Sequence, residues 1–151
     1  TGKIRGSTEV LDAQAIGNSL YGLQKMNSQH AEVRALLQVL TVKIRGSTEA
    51  LKAQHIGNSS YGLQSMDSQH TEVRALLQVL TAKIQGSTEA LNAQHVGNSL
   101  YGLQKMDSQH TEVRALLQVL TVKIHGTTDV LHALAVGNSL YGLQRMDSQH
   151  T

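Results

Sequence analysis

Cysteine is absent from the 151 residues, which excludes a disulfide scaffold, an iron–sulfur cluster and any thiol nucleophile. Proline, phenylalanine and tryptophan are absent too, so four tyrosines carry the whole aromatic content of 3%. No apolar run approaches the roughly 18 residues of a membrane span, so no membrane partner is expected. No charged-then-apolar leader opens the chain, and no secretory signal is read, although the abrupt start Thr1-Gly2-Lys3 fits a leader already removed. Charge is sparse as well. At 16% charged residues, a net charge of +2 and a pI near 9.0, the chain permits an acidic partner without demanding one. The 40% of hydrophobic residues suffices for one continuous core, not for two independent globular domains.

What is present is repetition. At a shift of 40 residues the chain aligns with itself almost throughout: Thr41-Val-Lys-Ile-Arg-Gly46 returns as Thr81-Ala-Lys-Ile-Gln-Gly86 and Thr121-Val-Lys-Ile-His-Gly126. Tyr21, Tyr61, Tyr101 and Tyr141 share one repeat position, and Met26, Met66, Met106 and Met146 another. The second and third copies differ at only six of 40 positions. A fixed period of this size marks a tandem array, and function must be sought per repeat.

Each repeat reads as two helices. In copy two the first is expected over 48–66, with Gly46 ending the previous helix in a left-handed conformation, Ser47 capping and Glu49 favouring the positive helix end. The second is expected from Gln69 or Thr71 to Ile84, where Val73, Leu76, Leu77, Leu80 and Ile84 form an amphipathic stripe. Asp67 and Ser68 are cap candidates between them. No stretch alternates with a period of two, so propeller blades are excluded. The expected fold is all-α, an α-solenoid (superhelix) of tandem two-helix repeats with a 40-residue period. One array covers 1–151: a second-helix tail at 1–5, units 6–45, 46–85 and 86–125, and an incomplete unit 126–151. That last unit lacks its second helix. Its apolar face (Ala133, Val136, Leu140, Leu143) is therefore expected to be uncovered, as in a segment of a longer array or an end open to self-association.

Helical geometry at 100° per residue divides the first helix into arcs. Ala53, Ile56, Leu63 and position 60 are expected in the core, where Ser60 replaces the Leu20, Leu100 and Leu140 of other copies. Gly57 marks a close approach between helices. Thr48, Lys52, His55 and Ser59 form the expected solvent stripe, and variation between copies concentrates there: Asp12, Lys52, Asn92 and His132 at one position, Ala15, His55, His95 and Ala135 at another. Polar tips that change on a constant scaffold fit a reading surface; drift at exposed positions is the plainer account of any single one.

The stretch Leu91-Asn-Ala-Gln94-His-Val-Gly-Asn98-Ser-Leu100-Tyr101-Gly-Leu103 resembles the octotricopeptide repeat, whose first helix typically reads Leu-x-x-Gln-x-Ile-x-Asn-x-Leu-Trp-x-Leu. The resemblance recurs in all four copies; Gln14, Gln54 and Gln94 follow it, Leu134 departs, and Tyr stands where Trp is usual. It implies sequence-selective binding of single-stranded RNA at about one nucleotide per repeat, in an organelle or a bacterial cytoplasm. Bases splayed from a strand can be read by side chains of successive repeats. Base-reading candidates are Asp12, Lys52, His55, Asn92, His95 and His132; phosphate-contact candidates are Lys43, Lys83, Lys123, Arg34, Arg74 and Arg114.

Other chemistry is not expected. His30, His70, His110 and His150 share one position, and equivalent atoms of adjacent repeats sit about 10 Å apart, whereas zinc needs nitrogens about 2 Å from one ion. Asp67-Ser68-Gln69-His70 holds hydrolase residue types, but adjacency in sequence is not a triad. Neither an enzyme nor a cofactor is expected. Two further readings stand beside RNA binding: a protein-interaction scaffold, and a consensus-like array without a ligand.

Overall fold

The computed structural model describes residues 10–126, 133–144 and 146, and among these the chain is all-helical, with seven helices and no strand. They are α1 (Ala13–Tyr21), α2 (Ala31–Arg45), α3 (Ala53–Tyr61), α4 (Thr71–Gln85), α5 (Ala93–Tyr101), α6 (Thr111–His125) and α7 (Ala133–Gly142). None of them is long and apolar enough to cross a membrane.

The long helices follow their sequence pattern. Val73, Leu76, Leu77, Leu80 and Ile84 are all buried in α4, and Glu72 and Lys83 suit the two ends of its dipole. Their caps differ from expectation. His70 occupies the N-cap without a side-chain capping bond to its helix, Asp67 Oδ1 instead accepts from Gln69 N–H at 2.9 Å, and Ser68 turns to the next copy.

The short helices correct the expected 48–66. Only nine residues of copy two, Ala53–Tyr61, are helical, followed by a turn, and 48–52 are non-helical lead-in. Thr48 and Glu49 therefore lie outside the helix. Nor does Gly46 take a left-handed conformation: its φ is −76°, and no described glycine has positive φ. Ser47 is not the cap either. Its hydroxyl donates to Leu11 O at 2.6 Å and receives Glu49 N–H, tying the lead-in to the previous copy.

Helices of one kind stack in a row: α1 on α3 on α5 on α7, and α2 on α4 on α6. Glycine permits the first row. A Cβ on Gly62 would lie 1.8 Å from Leu20 O, on Gly102 1.7 Å from Ser60 O, and on Gly142 1.7 Å from Leu100 O. Backbone thus rests on backbone at these positions, and only hydrogen fits. Gly57, expected to mark a close approach, does so, its would-be Cβ lying 3.3 Å from His95 Cα. Beside this joint the tyrosines stack face to face, with centroids 5.8 Å apart for Tyr21–Tyr61 and 5.4 Å apart for Tyr61–Tyr101 and Tyr101–Tyr141.

Between the rows lies one core, in which Ala53, Ile56 and Leu63 are buried as expected. Ser60 is buried in it too, at the position leucine holds in neighbouring copies. Paired leucines divide the work: Leu36 is partly exposed where Leu76 and Leu116 are buried, whereas Leu117 is partly exposed where Leu37 and Leu77 are buried. One leucine of each pair faces the preceding copy and the other the following one. Gly102→Ala should therefore cost about 1–3 kcal/mol or more through overpacking against a carbonyl that cannot yield. Urea unfolding reads this directly, and an unchanged midpoint would contradict the backbone joint.

Candidate functional site

Between α1 and α3 a groove of about 480 Å³ opens, lined among others by Asp12, Gln14, Asn18, Lys52, Gln54, His55 and Asn58. Sequence and structure part company over which face of the short helix it presents. The expected stripe Thr48–Lys52–His55–Ser59 does not form, because the helix starts at Ala53 and Ser59 is fully buried, as is Ser99. The exposed row runs instead through Gln54 and Asn58 to Tyr61, spaced i, i+4, i+7, with Gln14, Asn18, Tyr21 and Gln94, Asn98, Tyr101 as its equivalents. The Gln residues are exposed, and Asn58 and Asn98 are half-buried. Their side-chain amides make no hydrogen bond among the described residues. Each keeps one acceptor and two donors for something else.

The base-reading candidates divide by role. Asp12, Lys52 and Asn92 are the exposed N-cap residues of α1, α3 and α5. Asp12 Oδ1 accepts from Ala15 N–H at 2.7 Å, and Asn92 Oδ1 from His95 N–H at 2.9 Å. An ammonium cannot accept, so Lys52 leaves the equivalent N–H of His55 uncapped by its side chain. His55 and His95, both half-buried, return the bond: Nδ1 of each accepts from the N-cap N–H, of Lys52 at 3.2 Å and of Asn92 at 3.3 Å. Part of the variation at position 52 is thus variation in helix capping. The groove brings Asp12, Lys52 and His55 together; Asn92 and His95 hold the equivalent places on α5, and His132 lies outside the described residues.

The cation candidates are stapled to backbone. Arg74 Nη1 donates to Ser68 O at 2.7 Å and Gln69 O at 2.9 Å, clasping the turn that precedes its own helix. Arg34 and Arg114 do the same to Ser28 and Gln29 and to Ser108 and Gln109. Arg34 also approaches Glu72 at 4.0 Å. Lys83 Nζ donates to Ser47 O and to Glu49 O, and Lys123 Nζ to Ser87 O and Glu89 O, so each long helix holds down the lead-in of its own copy. Lys43 is half-buried and also partnered. A once-per-repeat cation therefore has a structural reason that sequence spacing could not show.

The histidine column behaves likewise. His30, His70 and His110 are the N-cap residues of the long helices, and among the described residues no three His, Cys, Asp or Glu side chains converge. A Ser–His contact does arise, between copies: Ser28 Oγ lies 3.1 Å from His70 Nδ1. Ser28 is fully buried and receives Asp67 N–H at 2.8 Å, a bond repeated between Ser68 and Asp107. These hydroxyls lock one copy to the next and have no exposed face.

The capping assignment has a measurable consequence. Lys52→Asn should restore the side-chain acceptor that Asn92 supplies in α5 and stabilise the chain by about 1 kcal/mol. Asn92→Lys should cost a similar amount, both read as shifts in urea midpoint. Equal midpoints for the three proteins would remove capping as the reason for the variation.

No family model, no curated protein and no solved structure matches the chain.

Proposed function

We propose that the chain is part of an α-solenoid of 40-residue helix hairpins, akin to octotricopeptide repeats, and that its short-helix row binds single-stranded RNA at about one nucleotide per repeat. One observation carries this reading: a row of amides, exposed at Gln14, Asn18, Gln54 and Gln94 and half-buried at Asn58 and Asn98, lies beside an exposed position that changes from copy to copy. An amide pairs donor and acceptor as a base edge requires, and two or three side chains per helical repeat suffice to read a base. The amides would supply contacts common to every repeat, and Asp12, Lys52 and Asn92 the contacts that differ. The tyrosines are engaged with one another at 5.4–5.8 Å, so bases would lie against the row's edge, not between the rings.

The basic residues take a smaller part in this reading than spacing alone implied. Arg34, Arg74, Arg114, Lys83 and Lys123 spend donors on carbonyls, while Lys52 is exposed in the groove and stands nearest to a phosphate path. Affinity would then rest on hydrogen bonds, with a shallow salt dependence. The groove lends no support to catalysis and suits a binding module. A protein partner is favoured by one feature of the other row, where Val42 and Val122 are exposed on α2 and α6.

The test is selection from a randomised single-stranded RNA pool, with matched DNA, at two salt concentrations. An enriched short motif is expected. Gln54→Ala with Asn58→Ala should weaken it tenfold or more, as loss of contacts worth about 1–3 kcal/mol per base implies. Exchanging Asn92 and His95 for Lys and Ala should change the preferred base at one position. No enrichment, or equal weak binding to every polyanion, would discard the RNA reading in favour of a protein partner.

A further inference from the structure

The long-helix row carries pockets of its own, and none of their residues belongs to the groove between α1 and α3. One, of about 390 Å³, lies between α2 and α4 and is lined by Arg45, Gln78, Val79, Ala82 and Lys83. The next, of about 370 Å³, lies between α4 and α6, where Gln85, Gln118, Val119, Val122 and Lys123 hold the corresponding positions, 40 residues on. The same pocket therefore recurs at each junction of these long helices. Neither is an end face, because α4 packs against α2 on one side and α6 on the other and forms a wall of both.

The chemistry of these pockets points to one kind of occupant. Val79 is buried and Val119 partly buried, whereas Ala82 and Val122 are exposed beside them, so each pocket has an apolar base. Every charged lining residue is a cation, Arg45 and Lys83 in the first pocket and Lys123 in the second, and no Asp or Glu among the described residues lines either. Lys83 and Lys123 donate to lead-in carbonyls but keep their charge, and Arg45 is exposed with no bond among the described residues. Gln78 and Gln118 are exposed as well, and their amides have no hydrogen-bond partner among the described residues. An amide of this kind suits an extended main chain, whose N–H and C=O groups are unspent, and not a helix, which pairs its own. The spacing agrees. Packed helices lie about 8–10 Å apart, and a polyproline-II segment advances about 9 Å per turn of three residues, bringing every third side chain to one face.

We propose that the long-helix row binds an extended segment of a protein partner, one with an apolar side chain at every third position and carboxylates between them. Each pocket takes one apolar side chain, and its glutamine pairs with the main chain passing over it. Two lining positions differ between the pockets, Ala82 against Val122 and Arg45 against Gln85. The guanidinium of Arg45 draws a carboxylate to the first pocket, where the Gln85 amide at the second exerts no such pull. This site is separate from the short-helix groove and does not depend on the RNA reading.

The probe is a displayed library of random peptides, panned against the whole chain. Enriched peptides should share apolar residues three apart and an excess of Asp and Glu. Ala82→Glu puts a carboxylate and extra volume into the first pocket at an exposed helical position, where valine stands in the other copies. Far-UV circular dichroism and the urea transition should show this variant folded. It should weaken binding of a synthetic peptide of the enriched sequence about tenfold, as loss of one filled pocket implies. Arg45→Gln should keep the peptide bound yet remove, in a second panning, the preference for an acid beside the first apolar residue. Gln54→Ala with Asn58→Ala, on the short-helix row, should leave peptide binding unchanged, so this proposal and the RNA reading fail separately. No shared pattern, apolar residues seven apart as on a helix, or a peptide held equally well by Ala82→Glu would overturn the proposal.

Discussion

Everything in this fold depends on how closely one short helix approaches the next. At Gly62, Gly102 and Gly142 the contact is backbone on backbone, closer than any side chain allows. That closeness sets the distance at which tyrosines stack and the depth to which Met66 and Met106 are buried. A joint made of main chain has no rotamers to adjust, so it transmits register from copy to copy with little slack. The short helices stay short for the same reason: nine residues suffice when both flanks are covered by neighbours.

Polar groups then hold the stack in register. Four buried serines each carry a bond to another copy: Ser47 to Leu11 O, Ser87 to Leu51 O, Ser28 and Ser68 to the amides of Asp67 and Asp107. Guanidinium and ammonium groups close over turn carbonyls that would otherwise be left without partners. Much of the chain's modest charge is consumed in this way, which is why a pI near 9.0 does not translate into a free basic face. The surface of the proposed recognition row is made of amides and variable N-cap tips, a surface suited to directional hydrogen bonds more than to long-range attraction.

The same geometry makes capping and the proposed recognition share residues. Asp12 and Asn92 spend one oxygen on the helix start while standing exposed at the groove, and His55 and His95 secure the reverse bond. A side chain pinned to its own helix end is held in one orientation, which is what a selective contact needs. Lys52 is the member that is not pinned, and it stands in the same groove as Asp12 and Glu49.

The 40-residue sequence repeat, the long helices with their Val73–Ile84 stripe, the core places of Ala53, Ile56 and Leu63, and the closeness at Gly57 were all legible in the sequence, because periodicity and residue size report burial directly. The limits of the short helices and their exposed face were not. A helix flanked on both sides by its own kind buries small polar residues as readily as apolar ones, so Ser59 read as solvent-facing is in fact interior. The lead-in 48–52 carries helix-like composition yet is drawn out to meet Ser47 and Lys83. Nor could spacing reveal that Arg74 and Lys83 serve carbonyls of a turn and of the lead-in. Sequence alone determined which residues recur and which helices are amphipathic, because those are properties of one segment. Only tertiary packing decided which polar groups are spent and which remain, because that depends on what the next copy brings within reach.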